Sequence, residues 1–169
     1  MALKISLKPH ERLIIGGAVV QNSGSRCDLI VENNVPILRE KDILREKDAD
    51  TPCKRIYFTV QLMYVDEKNL VEHHAIYWKL VREVVEAAPS TLGLIDQLSE
   101  QILNSKYYQA LKLAQKLIEY EQEAIKHVRN SIASIPDRSK DHNVGQGDRG
   151  VGPDQGGAPA PAVPEQLGR

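Results

Sequence analysis

The sequence predicts an α+β fold in which a small N-terminal antiparallel β-sheet is followed by an α-helical bundle and a disordered C-terminal tail. Three observations support this. Apolar and polar residues alternate over residues 1–34, helical periodicity runs through 67–131, and glycine and proline are concentrated in 136–169. The chain therefore divides into a β-rich part with a charged linker at 1–50, a helical part at 51–135 and a tail at 136–169.

The β-rich part is predicted to contain three or four short strands. Gly16-Gly17 can adopt positive φ at no steric cost, which predicts a two-residue hairpin turn between two of the strands. So few strands need a helix or a partner to cover their apolar face. Alternation places one set of side chains inward: Leu3, Ile5, Leu7, Leu13, Ile15, Cys27, Leu29 and Val31.

Residues 35–65 are harder to assign. The hexapeptide ILREKD occurs at 37–42 and again at 43–48, and two copies of six residues are too few for a repeat fold, so we interpret them as a charged linker or short helix. Alternation over 56–65 suits a buried strand, but Asp50-Thr51-Pro52 offers an N-cap followed by proline. This cap favours a helix over 51–65, with the strand kept as the alternative.

Three further helices are predicted with short connections, which implies antiparallel neighbours. Asp66 can cap a helix at 67–88, Pro89 ends it, and Ser90 or Thr91 can cap the next helix, which ends near Asn104-Ser105. Predicted buried positions are Leu70, Ile76, Tyr77, Leu80, Val81, Val84 and Val85, then Leu94, Ile95, Leu98 and Ile102, then Tyr108, Leu111, Ala114, Leu117, Ile118, Ile125, Val128 and Ile132.

The tail at 136–169 holds seven of the eleven glycines and five of the nine prolines, with few and small apolar residues. Such a segment cannot bury enough apolar area to offset the entropy of ordering its backbone. We expect a chain that ends at Ile135 to keep its thermal midpoint.

Composition and motifs exclude several classes of function. A net charge of -1 excludes a polycation that binds nucleic acid by bulk charge, and no apolar run is long enough to span a membrane. Two cysteines make no disulfide framework, which predicts a cytoplasmic protein. Glu72-His73-His74 is not a zinc-protease motif, and we expect structural roles for both histidines. We expect Cys27 to be buried and Cys53 to be an inert thiol. Because the sequence has no catalytic motif, we predict that the protein is not an enzyme and that it has no cofactor or metal.

Basic residues give the one sharper signal. If the apolar side chains of the strands point inward, alternation turns Lys4, Lys8, Arg12 and Arg26 outward as a modest basic face. Two further cations, Lys54 and Arg55, lie close to Tyr57 and Phe58 in the chain. Solubility explains such residues in most proteins. The sharper alternative is RNA, whose phosphates contact Lys and Arg while exposed bases stack on aromatic rings.

Five stretches resemble one family. MALKISLKPHERLIIGGAV at the N-terminus, LREKDI at 38–43 and DTPCKRIYFTVQLMYVD at 50–66 together resemble the FlbT family of α-proteobacteria, as do YYQALK at 107–112 and LIEYE at 117–121. The resemblance covers about residues 1–132. His10 stands where the family usually has glycine in a Lys-Pro-Gly-Glu-Arg turn, and histidine tolerates left-handed geometry better than most residues.

The resemblance implies a post-transcriptional regulator, in most members a repressor, of flagellin synthesis in flagellum biogenesis. It implies action at the 5′ untranslated region of flagellin mRNA, lowering translation or mRNA stability. We predict the six cations above, which are identified from alternation and chain position, as the RNA-binding residues. The resemblance also implies a FlaF-like protein as partner, and a second copy of the chain is a further expectation. The alternative is a protein-binding adaptor or chaperone-like factor that affects the mRNA indirectly.

Overall fold

The computed structural model describes residues 2–133, and within them five strands precede four helices, which confirms the α+β class. The tail predicted at 136–169 lies outside the described residues. The strands are β1 Leu3–Leu7, β2 Arg12–Ile15, β3 Ala18–Gln21, β4 Cys27–Val31 and β5 Ile37–Arg39. The helices are α1 Pro52–Val65, α2 Leu70–Ala87, α3 Leu92–Leu103 and α4 Tyr107–Ala133.

The strands form two antiparallel sheets where the sequence predicted one. β1 pairs with β4 in register Leu3↔Val31, and the second sheet has the order β3-β2-β5. β5 lies in the segment predicted as a charged linker or short helix, and that prediction is wrong there. The extra strand forms because Ile37 and Leu38 are apolar on opposite faces and each face of this sheet has an apolar layer to bury against.

Strand β2 is buried on both sides. Leu13 packs with Ile5 and Leu7 between the two sheets, while Ile14 and Leu38 belong to the helical core. The three-stranded sheet is therefore sandwiched between the two-stranded sheet and the helices. The predicted inward direction is confirmed for four residues that are partly buried against Ile5, Leu7 and Leu13: Ile15, Cys27, Leu29 and Val31. The prediction is wrong for Leu3, which is exposed at the end of β1.

Two tight turns shape this part of the chain. The N–H of Glu11 donates to the carbonyl of Lys8, and His10 has φ of 62°, so Lys8–Glu11 is a turn with proline second and a left-handed residue third. Histidine therefore adopts the geometry that the family's glycine would. Gly16 and Gly17 both have positive φ, which confirms the predicted hairpin between β2 and β3.

The ambiguous segment is helix α1, and the strand alternative is wrong. Thr51 caps it by accepting the N–H of Lys54, and Pro52 occupies its first turn. The buried side chains cover more than half of the helix circumference: Cys53, Ile56, Tyr57, Thr59, Val60, Gln61 and Met63. So wide a buried face shows no narrow apolar stripe, which explains why its periodicity did not distinguish it from a strand.

The two ILREKD copies adopt the same local structure. Each EKD forms a 3₁₀ turn, at Glu40–Asp42 and at Glu46–Asp48, closed by an N–H three residues on. The connection between them is held against α1, because the Gln61 side chain donates to the carbonyl of Leu44 and accepts its N–H. The second copy is therefore part of a structured connection that is held against α1.

The remaining helices follow their predicted bounds closely. Asp66 caps a 3₁₀ turn at Glu67–Asn69, so α2 itself begins at Leu70. The predicted stripe of Ile95, Leu98 and Ile102 is buried, and Ser105 with φ of 57° separates α3 from α4. Five predicted core residues of the helices are instead well exposed, and the inward prediction is wrong for them: Ile76, Tyr108, Ile125, Val128 and Ile132.

The length of α4 explains two of these five errors, those at Val128 and Ile132. A helix of 27 residues is about 40 Å long, whereas the 14 residues of α1 span about 21 Å. The first half of α4 buries Leu111, Leu117 and Ile118 against the bundle. Its second half still contacts the bundle as far as Ile125, which borders a pocket with Val84 and Ala88, and beyond it the apolar stripe continues into solvent at Val128 and Ile132.

Candidate nucleic-acid interface

The outer face of the two-stranded sheet carries Lys4, as predicted, but its charge is locally compensated. Lys4 Nζ lies 2.8 Å from Asp28 Oδ2, and the Ser6 hydroxyl donates to Asp28 Oδ1. The hydrogen bonds from Lys4 and then Ser6 lower the pKa of Asp28 below its usual value. Asp28 is therefore ionised at neutral pH, and this part of the face is close to neutral.

Lys8 and Arg26 form the electropositive end of the same face. Leu7 pairs with Cys27, so the antiparallel register continued by one residue sets Lys8 opposite Arg26. Both are exposed, and neither forms an ion pair with another residue in the range 2–133. Like charges on directly opposite positions destabilise a sheet. A bound phosphate would relieve that repulsion.

Arg12 lies on a different face from Lys4 and Lys8. It has the same parity in β2 as Ile14, which packs into the helical core, so Arg12 faces the helix side of its sheet. Arg12 lines a cleft with Glu40, Arg45 and Asp48. The prediction of one basic face with four cations is therefore wrong for Arg12. Alternation relates side chains only within one sheet. The outer faces of two stacked sheets point in opposite directions, so Arg12 cannot share a face with Lys4 and Lys8.

The second predicted cluster does not present the aromatic surface that the sequence indicated. Lys54 Nζ pairs with Asp50 at 2.6 Å, which raises the pKa of Lys54, while Arg55 is exposed. Tyr57 is only 5% exposed, and its hydroxyl donates to the carbonyl of Asp42. Phe58 is half-buried. Tyr57 is thus unavailable for stacking because α1 is surrounded by protein on the side where it lies.

A groove that sequence reasoning missed runs along the open edge of β1. Tyr64 and Tyr108 lie beside it with ring centroids 5.8 Å apart, and Arg39 spans its end by donating to the carbonyl of Ser6. The helical pattern placed Tyr108 on the buried side, yet it is 43% exposed. The adjacent tyrosines at 107 and 108 were the sequence feature that could have indicated this groove. The exposure of Tyr108 depends on how the helices pack, which residue spacing does not show.

Lys112 accompanies Tyr108 on α4. Its ammonium lies 5.1 Å from the centroid of the Tyr108 ring and 3.4 Å from Asp42 Oδ1. Lys112 is exposed, and it reaches the Tyr108 ring because one helical turn sets residues i and i+4 on the same face.

The cysteines and histidines occupy structural positions. Burial first, and the Glu121 carboxylate second, raise the pKa of Cys53 to about 12, so the thiol is protonated at neutral pH and inert, as predicted. His73 is buried with Nε2 3.4 Å from Asp66 Oδ2, and His74 Nε2 lies 3.4 Å from the Tyr107 hydroxyl. Within residues 2–133, no three His, Cys, Asp or Glu side chains come together in a way that could hold a metal ion.

The described residues thus define an α+β protein whose charged and aromatic groups lie on open surfaces and grooves. The chain belongs to the FlbT family, since the family model described as flagellar protein FlbT matches residues 3–125. It is 48% identical over 123 residues to "Probable flagellum biosynthesis repressor protein FlbT 1" of Bradyrhizobium diazoefficiens, covering 72% of this chain and 84% of that protein.

Two other relatives match over most of their length. The chain is 40% identical over 125 residues to a "Probable flagellum biosynthesis repressor protein FlbT" of Rhodopseudomonas palustris, covering 74% of this chain and 98% of the relative. It is 38% identical over 136 residues to "Flagellum biosynthesis repressor protein FlbT" of Caulobacter vibrioides, covering 79% and 96%. No solved structure matches the chain significantly. In the described part of the chain, no helix has the length and apolar character needed to cross a membrane.

Proposed function

We propose that this protein represses flagellum biosynthesis post-transcriptionally, in the cytoplasm, by binding the 5′ untranslated region of flagellin mRNA and lowering its translation or stability. The names of its relatives support the repressor role. The RNA target rests on the family resemblance and on the surface chemistry of the two-stranded sheet.

The observation that carries the RNA proposal is the pair Lys8 and Arg26. Two exposed cations lie opposite each other at the end of a sheet, where their repulsion costs stability. A phosphate between them would gain charge-assisted hydrogen bonds from both. Lys4 continues this face along β1 but pairs with Asp28, so it is a secondary candidate. Arg12, Lys54 and Arg55 are also secondary, because they lie on other surfaces or pair with an acid.

A titration of flagellin leader RNA at several salt concentrations tests this proposal. Changing Lys8 and Arg26 together to alanine should weaken binding and lower the salt slope by about 1.4, since each phosphate contact to a single strand contributes roughly 0.7. Flagellin synthesis should rise in cells that carry the variant.

The matched control changes Lys116 and Lys126 to alanine. It removes the same charge from exposed positions on α4. We expect it to bind the leader like the parent, and circular dichroism should be unchanged in both variants. Equal losses in the two double variants, or no loss from Lys8 and Arg26, would contradict the proposed site.

One observation favours a second candidate, a protein-binding adaptor that affects the mRNA indirectly. Ile125, Val128 and Ile132 continue the 3- and 4-residue spacing of the buried stripe along α4 but are exposed, with Ile125 at the border of an apolar pocket that Val84 and Ala88 also line. Such a stripe suits the apolar face of another helix. A FlaF-like protein is the proposed partner here, with a second copy of the chain as the alternative.

A double substitution separates the two candidates. Ile125→Ser with Val128→Ser should abolish co-purification of a FlaF-like protein and leave RNA binding intact if the adaptor candidate holds. Sedimentation of the parent alone shows whether a second copy uses the stripe. The adaptor candidate replaces the first if the parent binds no leader RNA while flagellin synthesis responds to the stripe variant.

A further inference from the structure

The groove between β1 and α4 brings together the open backbone edge of a strand, an exposed aromatic ring and several cations. It is lined by four successive residues of β1, by Ile37 and Arg39 of β5, and by Tyr64 and Tyr108. Successive residues of a strand point to opposite faces. A groove that all four line is therefore bounded by the strand's edge rather than by one of its faces.

The edge of β1 offers backbone hydrogen-bonding groups. Among the described strands β1 pairs only with β4, so its other edge has amide and carbonyl groups that no strand ladder uses. The Ser6 carbonyl accepts from Arg39 Nη2 at 3.1 Å, which closes one end of the groove. The remaining edge groups are donors and acceptors at fixed spacing, of the kind that base edges require.

Tyr108 supplies an aromatic wall for the groove. It is 43% exposed, although it belongs to the helix whose neighbouring turn buries Leu111. Tyr64 lies at its side, tilted by 49°, and is held in place because its hydroxyl accepts the N–H of Ile37 at 3.2 Å. Tyr108 is thus a supported ring with open surface, since it also borders a second groove next to Gln97 and Lys112.

Cations surround this ring and edge. Lys112 lies over the Tyr108 ring, Lys4 lines the groove, and Arg39 lies at its end with a 2.8 Å ion pair to Glu11. The lysines are on flexible stems, so Lys112 can move to a phosphate when a base covers the ring. Proteins that bind single-stranded nucleic acid combine aromatic side chains, on which bases stack, with cations that contact the backbone.

We propose that this groove binds one base of single-stranded RNA, with Tyr108 as the stacking platform, the open edge of β1 contacting the base edge, and Lys4 and Lys112 contacting flanking phosphates. The inference rests on the proposed function, because the groove is lined by Lys4 of β1, the strand that directly precedes Lys8. It adds a base-contacting subsite to the phosphate-contacting pair Lys8 and Arg26.

Substitutions of Tyr108 test the subsite on the full chain, with the flagellin leader RNA and an unstructured RNA oligonucleotide as probes. Tyr108→Leu should weaken both interactions by about 5- to 100-fold, the range for removing one base-stacking ring, while the salt slope stays that of the parent. Tyr108→Phe should bind like the parent, because stacking needs the ring and not the hydroxyl. In a Trp78→Phe background, Tyr108→Trp should bind and its fluorescence should be quenched by RNA.

The control is Tyr120→Leu, which removes another exposed tyrosine ring from the same helix outside the groove. It should leave RNA affinity unchanged, and thermal midpoints should confirm that each variant folds. If Tyr108→Leu binds like the parent while the Lys8 and Arg26 variant loses affinity, the subsite is refuted and the proposed function stands. If the parent binds neither RNA, both are refuted.

Discussion

The Glu121 carboxylate of α4 caps the N-terminus of α1 through Thr51, 70 residues earlier in the chain. Glu121 Oε2 accepts the Thr51 hydroxyl at 2.5 Å, and Oε1 accepts the N–H of Cys53 at 3.3 Å. Thr51 in turn accepts the N–H of Lys54. One acid from the last helix therefore satisfies groups at the start of the first helix, where the helix dipole favours a negative charge.

Removing this acid should destabilise the bundle. Glu121→Ala leaves the Cys53 N–H and the Thr51 hydroxyl without their acceptor, so we expect the free energy of unfolding to fall by about 1.5–3 kcal/mol, the range for a hydrogen bond to a charged group. Urea unfolding of the variant and the parent measures this fall in the free energy of unfolding. Glu123→Ala, at an exposed position one half-turn away, should change stability by no more than about 0.5 kcal/mol. Equal effects would show that the cap adds nothing.

Glycine at position 10 should stabilise the turn between β1 and β2. A non-glycine residue in left-handed geometry costs about 1–2 kcal/mol, and the entropy that glycine loses on folding costs about 0.5–1 kcal/mol. Because His10 has φ of 62°, His10→Gly should raise the free energy of unfolding by up to about 1 kcal/mol. His10→Ala keeps the strain and is the comparison. A glycine variant less stable than the alanine variant would contradict the argument.

Arg39 should connect the two sheets. Its Nη2 donates to the Ser6 carbonyl at 3.1 Å and to Glu11 Oε1 at 2.8 Å, so it joins β5 both to β1 and to the turn at Lys8–Glu11. Arg39→Ala should lower the thermal midpoint and cost about 1 kcal/mol, as for typical hydrogen bonds at a partly exposed site. Arg82→Ala, exposed on α2, is the control and should have no effect on the midpoint.

Acid should weaken the same connection. The Lys8 N–H first, and Arg39 second, lower the pKa of Glu11 below its usual value. A carboxyl with a lowered pKa in the folded state stabilises the protein above its unfolded-state pKa, and this contribution disappears as pH falls through the folded value. Urea midpoints between pH 5 and pH 3 should therefore fall less steeply for Glu11→Gln than for the parent. Parallel pH profiles would contradict the prediction.

Alkaline pH should destabilise the helical core. Burial raises the pKa of Cys53 from 9.0 to about 12, and burial raises those of Tyr57 and Tyr77 from 10.0 to about 12. The unfolded chain then loses these protons at lower pH than the folded chain. Stability is fully present below about pH 9 and declines as pH rises towards 12. Denaturant midpoints at pH 8, 9.5 and 10.5 measure the decline.

Cys53→Ala isolates one of these three groups. It should make the decline between pH 9 and 10.5 shallower, although the variant starts from lower stability because a buried side chain has been shortened. Cys27→Ala, at the half-buried cysteine, should leave the slope of the parent unchanged. An unchanged slope for Cys53→Ala would show that the Cys53 thiol does not contribute to the pH dependence.

The sequence by itself determined the local structure and the family. Gly16-Gly17 specified a hairpin because both positions need positive φ, Thr51-Pro52 specified a helix start, and the stripe of Ile95, Leu98 and Ile102 specified a buried helix face. The N-terminal and helical motifs identified the FlbT family, which the family match confirms. Each of these signals lies within a few residues of chain, where short-range sterics and periodicity decide the outcome.

Tertiary structure alone decided which side of each element is covered. Alternation correctly placed Arg12 opposite Leu13 on its strand, but only the stacking of two sheets shows that this side faces the helices. Likewise the spacing of α4 gives Leu111 and Val128 the same stripe, while the shorter neighbouring helices bury the first and leave the second exposed. Periodicity fixes a side chain's direction relative to its own backbone. Burial depends on the lengths and positions of other elements, which no local pattern contains.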